Sequence, residues 1–212
     1  MTNKILQFAN DNIALTPEAK DDIIKNASIA YGNFLDALGI NWQDDPNSSD
    51  TPKRVAKSFV NDLIAGCYTP QPNITTFNNL AKYDGIVFNG NIEIKSICSH
   101  HHLPFIGSAH VAYIPAADGS IIGLSKLNRV VEYFARRPQV QESLTMQIHN
   151  FLNDIIDDNA GIAVMIEANH MCSCLRGVKH KSTMKTSKLS GAFLTNDDTR
   201  KEFYDSVTTL NK

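Results

Sequence analysis

The spacing of apolar residues changes several times along the chain, and each change marks an element. In "LTPEAKDDIIKNASIAYGNFLDALGI", Ala27, Ala30, Phe34 and Leu38 recur at helical intervals. Thr16 is a candidate N-cap for this helix, and Pro17 takes the first helical position. "NWQDDPNSSD" is polar and turn-rich, so it reads as a linker. "DTPKRVAKSFVNDLIAG" repeats the helix-start pattern, with Val55, Phe59 and Leu63 on one face and Gly66 as a stop. Residues 67–84 have no clear period. "GIVFNGNIEIKSIC" and "GSAHVAYIP" then alternate and are rich in β-branched residues, which predicts two strands joined by the turn "SHHHLP".

The helical period returns in "SKLNRVVEYFARR", with Leu127, Val130, Val131 and Phe134 on one side. It continues after Pro138 with Leu144, Ile148, Phe151, Leu152 and Ile155. "GIAVMIEANHMCSC" and "STMKTSKLSGAF" predict a second pair of strands, and "NDDTRKEFYDSVTTL" a closing helix. This order of helices, hairpin, two helices, hairpin and helix predicts an α+β fold with an antiparallel sheet and helices packed on one side. The expected division is an N-terminal helical segment, residues 1–50, ahead of the main domain, residues 51–212.

Composition narrows the function classes. The chain has 212 residues, 42% of them hydrophobic and 20% charged, as in an ordinary globular protein. No apolar run approaches the ~20 residues of a membrane span. "MTNKILQFANDN" lacks the apolar core of a signal peptide, so a cytoplasmic protein is expected. The net charge of −2 gives no global attraction for nucleic acid, and a polyanionic ligand would need a local basic pocket. Four cysteines in a reducing compartment point to metal or catalytic work rather than to disulfides.

Cys98 and His101 form a C-x-x-H pair that a tight turn can aim at one ion. "NHMCSCLRG" offers a further ligand. If it is a strand, His170, Cys172 and Cys174 share a face, and one cysteine could complete the site. Two thiolates and one imidazole suit zinc and leave a fourth position for water. His100 and His170 would then lie near the metal and could move protons. The plainer alternatives are a solvated turn for His100, a satisfied core histidine for His170 and buried small hydrophobes for the cysteines.

Lys126 and Arg129 lie one helical turn apart behind Ser125, a candidate cap, and Arg54 and Arg176 add further positive charge. Together they could hold a phosphate chain; singly, each reads as a solvated residue. Gln141 and Glu142 follow Pro138. A carboxylate beside an amide can read a guanine edge, although a glutamate in a first turn also complements the helix dipole.

"CSHH", "GLSKLNRVVEYFARRPQVQE" and "HMCSCLRG", with "DTPKRVAK" before them and "TSKLSGAF" after, resemble GTP cyclohydrolase I in identity and order. The resemblance spans roughly residues 50–205. It implies a tunnelling-type fold (T-fold), and a homodecamer of two pentamers with active sites at subunit interfaces. It implies hydrolysis of GTP to 7,8-dihydroneopterin triphosphate and formate, begun by zinc-bound water at guanine C8.

Carried onto this chain, the resemblance implies Cys98, His101 and Cys172 as zinc ligands and His100 and His170 as catalytic histidines, with Ser125 assisting. Arg54, Lys126, Arg129 and Arg176 would contact triphosphate, and Gln141 and Glu142 would contact guanine. His102 and Cys174 have no counterpart role. Ser99 stands where some relatives are acidic. The alternatives are a related T-fold pterin or deazapurine enzyme with a cysteine nucleophile, or a zinc-stabilised binding module with Cys174 as fourth ligand.

Overall fold

A computed structural model describes residues 6–156 and 158–210. The outermost residues of both expected segments, 1–5 and 211–212, and part of the leader reading therefore lie outside the described residues. The chain divides into two compact units, Met1–Pro70 and Gln71–Lys212.

In the first unit, helix α1 (Pro17–Ala37) starts as expected, with Thr16 accepting a hydrogen bond from the Ala19 amide at 3.3 Å and Pro17 at the first position. The buried face differs from the predicted one. Ile24, Gly32 and Leu35 are covered, whereas Phe34 and Leu38 are more than half exposed. Helix α2 (Thr51–Ser58) runs into a π-helical turn, Phe59–Leu63, closed by the Ile64 amide on the Phe59 carbonyl at 2.9 Å. Its inward residues are Pro52, Ala56 and Val60, one position round from the predicted Val55, Phe59 and Leu63. Ile24, Ala56 and Val60 pack together as this unit's small core.

The second unit is built on two sheets. Strands β1 (Thr76–Asn78) and β4 (Ser120–Ile122) form a small antiparallel pair that the irregular sequence of 67–84 does not announce. The main sheet has five strands in the order β5-β2-β3-β6-β7. They are β2 (Val87–Cys98), β3 (Pro104–Ile114), β5 (Pro138–Gln139), β6 (Gly161–His170) and β7 (Thr183–Leu189). The sheet is antiparallel except where β5 adds a two-residue parallel pairing to the end of β2.

Helices α3 (Leu124–Ala135) and α4 (Gln141–Ile155) cover one face of the main sheet. The four predicted α3 residues and Leu144, Ile148 and Leu152 of α4 are buried there against Ile94, Phe105, Val111, Val164 and Ile166. Each such side chain contributes about 1.5–3 kcal/mol relative to exposure. The expectation of helices on one side needs a correction. Helix α6 (Ala192–Thr195) and helix α7 (Asp197–Leu210) pack Phe193, Phe203 and Val207 on Ala112, Ile114, Ala163 and Met165, which alternate with the core residues and so face the other way. Among the described residues, no helix is long and apolar enough to cross a membrane.

A polar seam joins α4 to β7. Gln141, Thr145 and His149 recur at intervals of four on α4 and meet Thr186 and Ser190, at 3.1 Å for Gln141 Nε2 to Thr186, 2.7 Å for the two threonine hydroxyls and 3.0 Å for His149 Nε2 to Ser190. His149 and His110 are both buried, and burial is the first cause that pushes each imidazole below its ordinary range. An unfolded imidazole protonates near pH 6.5. Below that value the unfolded chain takes up protons that these folded groups resist, so stability is full above about pH 6.5 and declines as the pH falls through the lowered folded pKa values. Melting temperature measured in chelator at constant salt should therefore drop from about pH 7.5 to 5.5. His149→Gln should make the drop shallower, and a flat profile in the unaltered protein would contradict this assignment.

Candidate active site

β2 ends at Cys98, whose side chain is buried at the margin of the core. The chain then turns through Ser99–Leu103 into β3. The turn is closed by the Cys98 amide on the Leu103 carbonyl and the His102 amide on the Cys98 carbonyl, both 2.9 Å. His102 takes a positive φ of 53°, which gives the turn the tightness that the sequence implied. Residue β5 Gln139 braces it by accepting from the Ser99 amide at 3.1 Å.

Across β3 lies the end of β6, where Phe105 pairs with His170. Their rings stack at 4.6 Å and 9°, with Phe105 fully buried beneath. The chain does not continue as a strand after His170. Met171–Cys174 is a single helical turn, α5, so the predicted alternation of His170, Cys172 and Cys174 on one strand face fails. The turn carries Cys172 back toward Cys98, and the two sulfur atoms lie 3.8 Å apart. Cys98, His170 and Cys172 offer ligand atoms all within 4.8 Å of one another. Cys174 is not in that group.

The donor chemistry fits a metal ion. Two thiolates bound tetrahedrally at about 2.3 Å stand about 3.8 Å apart, the separation these sulfurs already have. Burial, followed by the adjacent Cys98 thiol, raises the pKa of Cys172, and Arg176 acts in the opposite direction. A cation between the sulfurs would favour their ionisation.

Of the exposed histidines, His100 lies beside Cys98, and neither it nor His101 belongs to the ligand-atom group. His100 Nδ1 is 3.6 Å from Cys98 Sγ, and the rings of His100 and His101 meet edge to face at 6.5 Å. His101 Nε2 accepts a hydrogen bond from Arg176 Nη1 at 2.9 Å. A guanidinium can only donate, so this nitrogen carries a lone pair of the kind a metal ligand needs. His170 is held below the ordinary imidazole range chiefly by burial, with His100 acting in the same direction and the charge of Glu142 opposing both.

Gln141 and Glu142, adjacent in sequence, have different surroundings. Glu142 is exposed in the first turn of α4. Gln141 is fully buried, and its amide is committed to Ile166, Met184, Thr186 and His170. As placed, its side-chain amide is engaged within the protein. Phe105, the platform for His170, was not singled out from the sequence because an aromatic in a strand reads first as core.

Of the expected phosphate contacts, Arg176 lies beside the histidine turn, whereas Lys126 and Arg129 do not. Ser125, Lys126 and Arg129 occupy the start of α3. Ser125 lies inside the first turn; the N-cap is Gly123, with no side-chain cap bond. The adjacent Asn128 bonds Asn89 at 2.7 Å, whereas the far end of α3 meets β2 through Ser96 and the Arg137 carbonyl at 3.2 Å. Asn89 is nine positions before Cys98 on β2, which at about 3.3 Å per residue puts the start of α3 roughly 25–30 Å from the cysteine pair. Arg54 belongs to the first unit, where it is exposed and pairs with Asp50 at 3.3 Å.

Comparison with known proteins adds an independent line. The family described as GTP cyclohydrolase I matches residues 27–208. The chain is 48% identical to GTP cyclohydrolase 1 of Chlorobium chlorochromatii over 216 residues, covering 96% of this chain and 93% of that protein. It is 49% identical to the Chlorobaculum tepidum enzyme of the same name, covering 86% of this chain and 80% of that protein. Against GTP cyclohydrolase 1 of Flavobacterium johnsoniae the identity is 43%, with 93% and 86% covered.

Proposed function

The chain belongs to the GTP cyclohydrolase I family, and we propose on that premise that it hydrolyses GTP to 7,8-dihydroneopterin triphosphate and formate at a zinc site held by Cys98, Cys172 and His101. The observation that carries the site is the cysteine pair, two sulfurs at the spacing a tetrahedral ion requires, with His170 in the same ligand-atom group and His100 beside Cys98. Zinc bound there would supply a Lewis acid that lowers the pKa of water toward neutrality. We take His101 as the imidazole ligand because it lies in the same tight turn as Cys98 and its Nε2 lone pair already faces a cationic group.

The remaining side chains have separate tasks. His170, neutral at pH 7 and stacked on Phe105, is suited to accept and return protons at the guanine ring. His100, beside Cys98 and exposed, serves as a second proton carrier, and Ser125 assists in the later rearrangement. Glu142 is the base reader, its carboxylate accepting from the ring N–H and amino group of guanine. Lys126, Arg129, Arg176 and Arg54 bind the triphosphate. The separation of Lys126 and Arg129 from the cysteine pair along β2 supports a site completed by a second copy of the chain, in a homodecamer of two pentamers. The catalytic segment is taken to begin at residue 51, because Arg54 belongs to the clamp. Action in the cytoplasm on a free nucleotide, without nucleic acid or membrane, completes the proposal.

Incubation with GTP followed by oxidation should give a fluorescent pterin, and ATP should give none. A site that pairs with the guanine edge leaves its own polar group unsatisfied against adenine, which costs several orders of magnitude in efficiency. Tight zinc binding that needs Cys174, with no fluorescence from GTP, would overturn this reading in favour of a binding module.

A further inference from the structure

We infer that Gln141 positions His170 rather than reading the base: its amide oxygen accepts the Nε2 proton of His170, leaving Nδ1 as the ring nitrogen with the lone pair. The inference rests on the reading of His170 as a proton carrier given above, but its evidence is a separate hydrogen-bond network.

Every proton direction in that network follows from the one before. Thr145 Oγ1 donates to the Gln141 carbonyl at 2.9 Å, which uses its only proton. The 2.7 Å bond between the two threonine hydroxyls must therefore run from Thr186 to Thr145. That leaves Thr186 Oγ1 as an acceptor toward Gln141. The Gln141 amide nitrogen faces this oxygen at 3.1 Å, the Ile166 carbonyl at 3.0 Å and the Met184 carbonyl at 3.1 Å. Three acceptors on one side fix which end of the amide is nitrogen, because the reversed amide would set its oxygen against two carbonyls. The oxygen consequently points at His170 Nε2, 2.9 Å away, and that nitrogen must donate.

The direction holds for the neutral and the charged ring alike, so it requires no particular pKa. Phe105 fixes the ring plane by stacking, and Gln141 fixes the rotation within that plane and the tautomer. Gln141 is itself fully buried at the first turn of α4, so it holds its position without help from the substrate.

Two readouts test the assignment on the full-length zinc-loaded protein. In solid-state nitrogen spectra of protein labelled at histidine, the His170 signal, identified by its loss in His170→Asn, should show a protonated Nε2 and an unprotonated Nδ1. Gln141→Met should give a mixture of tautomers. In kinetics, Gln141→Met should lower kcat by about 10–100-fold, the range seen when the partner that orients an imidazole is removed. The KM for GTP should stay within about threefold, with the preference for GTP over ATP intact.

Thr186→Val disturbs the same seam but leaves both carbonyls to hold the amide, so its kcat should stay within about threefold even though its melting temperature falls. A raised KM or admission of ATP in Gln141→Met would make Gln141 a base reader and overturn the inference, as would an unchanged kcat. An Nδ1–H tautomer in the unaltered protein would overturn it even if Gln141→Met failed to fold. Absence of GTP turnover by the unaltered protein would instead sink the parent reading, and the nitrogen spectra would still decide the role of Gln141.

Discussion

Cys172→Ala should abolish zinc binding and reduce GTP turnover to background, and Cys98→Ala should do the same. Each removes one of two sulfurs held 3.8 Å apart, and one thiolate with one imidazole cannot retain the ion at cellular zinc levels. The loss should be complete, because without the metal the pKa of water returns from near neutrality to its far higher bulk value. Cys174→Ala should keep metal and activity, although only Ser173 separates the two cysteines in sequence. The check is zinc per subunit by elemental analysis, set beside formate release. Retention of zinc in Cys172→Ala with loss in Cys174→Ala would mean that the wrong cysteine had been chosen.

The adjacent histidines of the Cys98 turn should separate just as sharply. His101→Ala should lose zinc and all chemistry. His100→Ala should keep zinc and lose about 10²–10⁴-fold in kcat, the usual contribution of a placed proton carrier. His102→Ala should keep both, since His102 is outside the ligand-atom group and has no counterpart role in the family. His170→Ala completes the set. Its ring lies in the same ligand-atom group as the cysteines, so zinc content decides between it and His101 as the imidazole ligand. Metal retained in His170→Ala and lost in His101→Ala is the expected result; the reverse would transfer the ligand role to His170. All four variants should be compared at the same oligomeric state, because a site shared between copies fails when the assembly does.

Much of this arrangement was legible in the sequence because local chemistry dictates it. Period-two alternation located β2 and β3, and the buried faces of α3 and α4 followed from helical spacing. The histidine turn was set by its position between two strands. The misreadings share one cause, tertiary packing that overrides a local pattern. "HMCSC" alternates like a strand, yet it closes as a helical turn that brings Cys172 to Cys98. The apolar stripe of Phe34 and Leu38 reads as a core face, yet Ile24 and Leu35 are the covered residues. Gln141 beside Glu142 reads as a polar pair, yet burial places the amide in a protein-internal network. Nor could spacing reveal that Lys126 and Arg129 stand at the opposite end of β2 from the cysteines. That depends on α3 running in the same direction as β2, which only the fold determines.

The claim beneath all of these predictions is that the protein removes carbon 8 of guanine from GTP as formate. Incubating the zinc-loaded protein with GTP carrying carbon-13 at C8, and following the label by NMR, tests it most directly. The account predicts that the label leaves the nucleotide entirely and appears as formate, one for each dihydroneopterin triphosphate formed. Label that remains attached to a nucleotide or pterin product while GTP is consumed would contradict it.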